Sequence, residues 1–261
     1  MKTILSKILF FCLLTANPLH AKALCNRVYS VGTNTDAVSK DKAGANLISI
    51  EIFNELKKRL DCVYNERVIS FSRAAEDLRN NRIDIFAFSF TNESWSKFAT
   101  SIPIYSVNRL LLVQNKFYKP GAKVADYLKD SKVNFAMLSG GSFFSSSVEI
   151  AALQKAHRAT FVAFPDGVMD LLSKGKVQAA FTSPIFLRRY AIQYKIKEKT
   201  MVVADDSKRL ELAIFFSKKR MKPLELKMFE KVIQDMKTDG TLKKIILKYV
   251  PEEDFNSYYH F

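Results

Sequence analysis

Asp84-Ile85-Phe86-Ala87-Phe88 is apolar at every position after its opening aspartate. A strand with one solvated face alternates, whereas an unbroken apolar run is covered on both faces, as central strands of parallel sheets are. The surroundings agree. Val28 to Gly32 reads as a buried strand ending at a turn, residues 46–60 as a helix with Ile50, Phe53, Leu56 and Leu60 along one stripe, and Val63 to Ser70 as a second strand. Ser72 is expected to cap a short helix running through Leu78. Strands alternating with helices mean a parallel α/β sheet.

The pattern then restarts. Asn134 to Leu138 reads as a strand that ends in Ser139-Gly140-Gly141-Ser142, followed by a helix from about Ser145 to Lys155. Strands are expected at Thr160 to Phe164 and Ala179 to Thr182, with helices over Gly167 to Ser173 and Pro184 to Tyr194. Leu212 to Phe216 is one more apolar strand. Phe229, Val232, Ile233 and Met236, then Leu242, Ile245, Ile246 and Tyr249, each follow i, i+3, i+4, i+7, so two amphipathic helices close the chain with Gly240 between them.

The 261 residues suit one large or two small domains, and 48% hydrophobic residues suffice for sizeable cores. Residues 1–23 read as a secretory signal: Lys2 and Lys7, the apolar run Ile8 to Leu14, and Ala21-Lys22-Ala23 as cleavage site, with cutting after Ala21 as an alternative. Leu24 before Cys25 does not suit a lipoprotein, and no later run approaches the length of a membrane span. Export to the periplasm is the expectation.

Removing residues 1–23 removes three lysines and lowers the net charge from +15 to +12. The remaining lysines are spread along the sequence, which reads as a solvated basic surface rather than a nucleic-acid site. Attraction to an anionic membrane surface or an anionic solute is the other reading. Cys25 and Cys62 each open a strand of one strand–helix–strand unit, at the same edge of its sheet. A structural disulfide is expected there, two reactive thiols being the alternative.

Arg73 to Asp84 resembles an R-x-x-x-x-L-x-x-G-x-x-D stretch with Asn81 in the glycine's place. Thr91-Asn92-Glu93-Ser94 resembles T-P-E-R, Ser101-Ile102-Pro103 resembles S-D-P, and Asp239-Gly240-Thr241 resembles D-G-T before a last helix. In this order the set resembles the periplasmic solute-binding proteins of family 3, which serve importers of polar amino acids. The resemblance implies a two-lobed α/β fold of type II, two parallel or mixed sheets joined by a double-crossing hinge. Lobe 1 would hold residues 24–106 and 215–261 and lobe 2 residues 107–214, with crossings near Tyr105–Asn108 and Ala213–Phe216. A solute would lie in the crevice between the lobes.

The same resemblance implies the site. Phe71 falls where an aromatic ring stacks on the solute, with a core phenylalanine as the alternative. Ser89 and Thr91 fall where hydroxyls and amides meet it, with turn capping as the alternative. Ser142 and Phe143 fall in the small-residue loop that binds a carboxylate at a helix N-terminus, with a plain strand-to-helix turn as the alternative. Ser94 or Trp95 stands where amino-acid binders carry arginine, and Thr182-Ser183-Pro184 where they carry an acid, so Ser183 joins the candidates. Lys97 is a substitute cation, and Arg73 is expected at the surface. With both charges missing, the expected solute is a neutral or anionic polar organic molecule other than an ordinary α-amino acid. An ABC permease is the expected partner and the monomer the expected state; no cofactor is expected. An accessory or sensor protein of the same fold is the second reading. A cyclohexadienyl-dehydratase-like enzyme is the third, because His157 and His260 lack evident partners in sequence.

Overall fold

The computed structural model describes residues 25, 27–34, 45–91, 93–138, 146–162 and 165–261. The first half runs β1 (Val28–Asn34), α1 (Ala45–Leu60), β2 (Val63–Ile69), α2 (Phe71–Arg79) and β3 (Ile85–Phe90), the expected order. A 3-10 turn, Glu93–Lys97, leads into β4 (Ala99–Gln114). The second half runs α3 (Val124–Lys129), β5 (Phe135–Leu138), α4 (Ser147–Lys155), β6 (Ala159–Val162), α5 (Pro165–Ser173), β7 (Ala179–Thr182), α6 (Pro184–Ala191), α7 (Ile196–Lys199) and β8 (Thr200–Ser217). The chain closes with α8 (Pro223–Thr238), α9 (Thr241–Leu247), α10 (Glu252–Tyr258) and the two-residue β9 (Tyr259–His260).

These strands form one mixed nine-stranded sheet in the order β2-β1-β3-β8-β4-β7-β5-β6, with β9 beside β4. The sequence suggests two sheets. They are fused because β4 and β8 are long antiparallel partners, paired from Ala99↔Ser217 to Gln114↔Thr200, that serve both halves. Pairing shifts between Pro103 and Tyr105, and again where Asn108↔Arg209 gives way to Arg109↔Asp205. At the second shift residues 206–208 of β8 have no counterpart on β4, a bulge at mid-strand.

Helices cover both faces. On one face α1, α8 and α9 pack Leu56, Phe229 and Ile246 against Val31, Ile214 and Phe216, and this core continues to Leu111, Phe135 and Phe181. On the other face α2 packs Ala74 and Leu78 against Phe86 and Phe215. There the second half places Leu172 of α5, Tyr190 of α6 and Ile196 of α7 against Leu112 and Ala180.

Two local expectations change, and a third position is explained. The cap of α2 is Ser70 rather than Ser72: its hydroxyl accepts from the Arg73 amide, so the helix begins one residue after β2. β1 passes through Gly32 to Asn34; the glycine is there because a Cβ would meet Ile69 Cδ1 at 2.4 Å. Asn81 stands where the resembling motif has glycine because its φ is +56°, a left-handed value that asparagine tolerates. Cys25 and Cys62 are disulfide-bonded, their Cα atoms 5.2 Å apart, as β1 and β2 pair from Val28↔Val63 onwards.

Below β1 and β3 lies an ion network at the amino ends of the strands. Asp84 is fully buried and accepts from Arg27 Nη1 at 2.7 Å, Arg220 Nε at 2.8 Å and the Ser30 amide at 2.8 Å. Glu225 of α8 takes the other side of Arg27 and the Tyr29 hydroxyl. One carboxylate thus joins β1, β3 and the segment before α8.

Candidate functional site

Register places the site. β3 runs from Ile85↔Phe216 to Phe90↔Leu212 along β8, and β7 runs from Ala179↔Val113 to Thr182↔Leu110 along β4. Both therefore point their carboxyl ends at the same middle stretch of the long pair, Tyr105–Arg109 facing Asp205–Glu211. β1 and β2 run parallel with β3, and β5 and β6 with β7. Two sets of strand ends face each other across a two-strand connection, the place where open α/β sheets bind ligands.

On the first wall stand Phe71, Ser89 and Thr91. Phe71 is the first residue of α2, half-buried, its ring edge-on to Phe86 at 5.8 Å. Ser89 is buried and its hydroxyl donates to the Phe90 carbonyl at 3.1 Å, while the Thr91 amide donates to Glu211 O of β8 at 2.8 Å. Just before them the β3–β8 register slips between Phe86 and Ser89, and Phe88 holds φ +68°. A left-handed phenylalanine inside a strand is held by its surroundings, here burial and an edge-on contact with Phe53. The slip re-aims Ser89 and the residues after it.

Ser94 is exposed on the 3-10 turn. Trp95 is not: its ring packs on Phe86, Phe98 and Phe215 in the core beneath α2, because three residues per turn put Trp95 and Phe98 on one inward face. Lys97 is exposed, and Arg73 lies at the surface paired with Asp77 at 3.0 Å.

On the second wall, Ser183 is fully buried and caps α6 by accepting from the Phe186 amide at 3.4 Å. Thr182 is buried too, its hydroxyl donating to the Ser183 carbonyl at 3.4 Å. Ser142 and Phe143 lie outside the described residues. The N-terminus of α4 carries a capping box in which Ser146 accepts from the Glu149 amide and Glu149 from the Ser146 amide.

Glu149 also closes an ion network invisible to local sequence reading. Arg109 of β4 donates to both Glu149 oxygens at 2.9 Å and to Asp205 of β8 at 2.7 Å, and stacks 4.3 Å over Phe181. Lys208, in the β8 bulge, approaches Glu149 at 3.8 Å. Burial alone would raise the Glu149 carboxyl, but the Arg109 hydrogen bonds and the Ser146 amide hold it below the ordinary range. Burial and Arg109 lower the Lys208 ammonium. The partners lie 40 and 96 residues from Arg109; only the Ser146-x-x-Glu149 spacing was legible beforehand.

The C-terminus reaches the same place. β9 pairs Tyr259 and His260 with Val107 and Ser106, and His260 Nε2 lies 2.6 Å from Asn108 Oδ1, so this histidine does have a partner. Burial and Arg209 lower its pKa. Arg188 of α6 and Asp254 of α10 approach at 3.9 Å across the two halves. Among the described residues no cluster of three His, Cys, Asp or Glu side chains suits a metal, and no helix is long and apolar enough to cross a membrane.

Comparisons extend this geometry. A histidine kinase sensor domain with similarity to periplasmic binding proteins superimposes with TM-score 0.68 at 14% identity, covering 87% of this chain and 97% of its own. An ancestral arginine-binding protein bound to arginine gives 0.67 at 17%, covering 86% and 99%. The BvgS VFT2 domain of Bordetella pertussis gives 0.65 at 17%, covering 89% and 98%. At such identities the likeness establishes the two-lobed periplasmic-binding-protein fold alone. No curated protein sequence matches the chain. The family model for bacterial extracellular solute-binding proteins, family 3, matches residues 48–252. With that match spanning most of its length, the chain belongs to the bacterial extracellular solute-binding proteins of family 3.

Proposed function

We propose that this protein is an exported receptor that closes two lobes on a small polar organic solute and delivers it to an ABC permease. The observation that carries the reading is the opposed strand ends: β3 and β7 both terminate at the middle of the β4–β8 pair. Lobe 1 takes residues 25–105 and 212–261, because β3 pairs with β8 from Leu212 onward; lobe 2 takes residues 109–205. The hinge is the shifted pairing between them, a place where small backbone changes reorient the lobes.

The solute is neutral or anionic rather than an ordinary α-amino acid. Where amino-acid binders carry a charge pair, this chain has exposed Ser94 and buried Thr182. Ser89, Thr91 and Ser183 provide hydroxyl and amide walls, with Phe71 as the stacking ring. Ser142 and Phe143, outside the described residues, stay candidates for the lobe-2 side on the resemblance alone. Trp95 acts by packing beneath the wall rather than by contact. Periplasmic location, monomeric state and binding without catalysis belong to the same proposal.

The test is a thermal-shift panel of amino acids, organic acids, amines and sugars at millimolar concentration. A ligand at 100 times its dissociation constant adds about 2.7 kcal/mol. A neutral or anionic hit supports the reading; a cationic or zwitterionic amino acid as best ligand overturns the solute class. No hit at all favours the second reading, a sensor or accessory protein that binds a partner, which the missing charge pair and the likeness to sensor domains also support.

A further inference from the structure

Lysines that look scattered in sequence converge in the fold. β4 ends, and β5, β6, β7 and β8 begin, at the end of lobe 2 opposite the cleft: Gln114 pairs with Thr200, Val113 with Ala179, and Phe135 with both Ala179 and Ala159. Four connecting segments therefore meet at that pole, residues 115–134, 155–158, 174–178 and 192–199. They hold Lys116, Lys119, Lys123, Lys129, Lys132, Lys155, Lys174, Lys176, Lys195, Lys197 and Lys199, with Arg158. Against these stand only Asp126, Asp130 and Glu198, an excess of nine positive charges in a chain whose net charge is +15.

All eleven lysines are exposed. Among the described residues two are ion-paired, Lys119 with Asp130 and Lys174 with Asp170. The far end of lobe 1 is more evenly balanced. Its arginines are bound to carboxylates, Arg27 and Arg220 on Asp84, Arg82 on Asp77, and Arg59 on Asp239, and stand beside the exposed Lys58, Lys218, Lys219 and Lys222. Arginine forks onto individual oxyanions, whereas lysine is a hydrated point charge on a mobile stem, suited to a diffuse layer of phosphates. Ile192, 89% exposed between Arg188 and Lys195, adds an apolar side chain at the same pole.

We infer that the pole of lobe 2 is a docking face for an anionic phospholipid surface. An acidic protein would demand a matched arrangement of carboxylates; unpaired lysines drawn from four segments demand only negative charge density, which a bilayer with anionic headgroups supplies. The geometry leaves the cleft free. The five-residue rise of β4 from Arg109 to Gln114 puts the hinge about 17 Å from the pole, so a surface docked there need not touch it.

The experiment is vesicle co-sedimentation of protein purified from cells that export it. Vesicles are pure phosphatidylcholine, or phosphatidylcholine with 30% phosphatidylglycerol, at about 0.05 and 0.5 M salt. Binding to the anionic vesicles alone, lost at high salt, is the expected result. Each lysine near such a surface contributes about fivefold, so K123E/K132E/K176E/K197E is expected to weaken partition by at least about a hundredfold. A control with the same charge change on lobe 1, K58E/K219E/K227E/K244E, is expected to change it by less than about tenfold, with both variants' folds checked by circular dichroism. Equal loss in the two variants overturns the docking face in favour of net charge. Equal binding to neutral vesicles overturns it too. So does absence of binding to anionic ones, even where the pole retains an acidic protein.

Discussion

Replacing Asp84 by asparagine keeps the shape of a fully buried side chain and removes its charge. The carboxylate accepts five hydrogen bonds, one from Arg27, two from Arg220, and one each from the amide and hydroxyl of Ser30. Burial alone would raise its pKa; the Arg220 and Arg27 guanidiniums and Ser30 outweigh that and hold it at about 2, against an ordinary 3.8. At about 1.4 kcal/mol per tenfold change in proton affinity, the charge stabilises the fold by roughly 2–3 kcal/mol at neutral pH. A second route agrees. Removing one partner of a wholly buried pair costs about 3–5 kcal/mol, and here the guanidiniums are 28% and 38% exposed, so the cost is reduced.

The pH dependence has a definite sign. The folded value lies below the unfolded one, so the contribution is complete above about pH 5 and is lost as pH falls through 3.8 towards 2. Urea denaturation of wild type and Asp84→Asn reads the difference directly, because the other carboxylates cancel between the two proteins. The gap is expected to be roughly 2–3 kcal/mol at pH 7, about half that at pH 3 and well under about 1 kcal/mol at pH 2. A gap that stays constant across this range, or stays below about 0.5 kcal/mol at pH 7, refutes the account. Ligand affinity is expected to be unchanged, because Asp84 sits at the amino ends of the strands, away from the cleft.

Cys25→Ser is expected to lower stability by about 3–4 kcal/mol, from the 37-residue separation of the bridged cysteines, measured by thermal unfolding with and without reductant; a difference that survives reduction points to some other cause. At Asn81, whose φ is +56°, substitution by glycine is expected to be neutral or mildly stabilising and by valine to cost more than about 1 kcal/mol; equal melting temperatures for the two variants would show that backbone strain plays no part. A double-mutant cycle of Arg109→Met and Glu149→Gln is expected to show at least about 1 kcal/mol of coupling, since the pair is bidentate and Arg109 is 3% exposed; additive effects would mean that Asp205 alone holds the arginine.

The α/β alternation, the disulfide and the two closing amphipathic helices were legible in the chain itself. Each depends on the period of apolar residues or on which strand ends share an edge, and local order encodes both. The same holds for the family: its motifs are short, ordered and contiguous. Of β8 only Leu212 to Phe216 was legible as a strand, and the 16-residue β4 was not: Pro103 interrupts β4 and the bulge at residues 206–208 interrupts β8. What binds them into one sheet is partnership between residues far apart in sequence, from Gln114↔Thr200 to Ala99↔Ser217.

Tertiary structure alone decided where charge and chemistry collect. Arg109, Glu149, Asp205 and Lys208 meet because β4, β8 and the start of α4 converge at the second register shift, and no periodicity announces it. Trp95 reads as a cleft residue beside Ser94, yet a single 3-10 turn sends it into the core. Eleven lysines dispersed between residues 116 and 199 share one pole, since the crossovers of parallel strands return to the same end of the sheet. A chain's order determines which elements form; long-range strand pairing determines which of their ends, and hence which side chains, become neighbours.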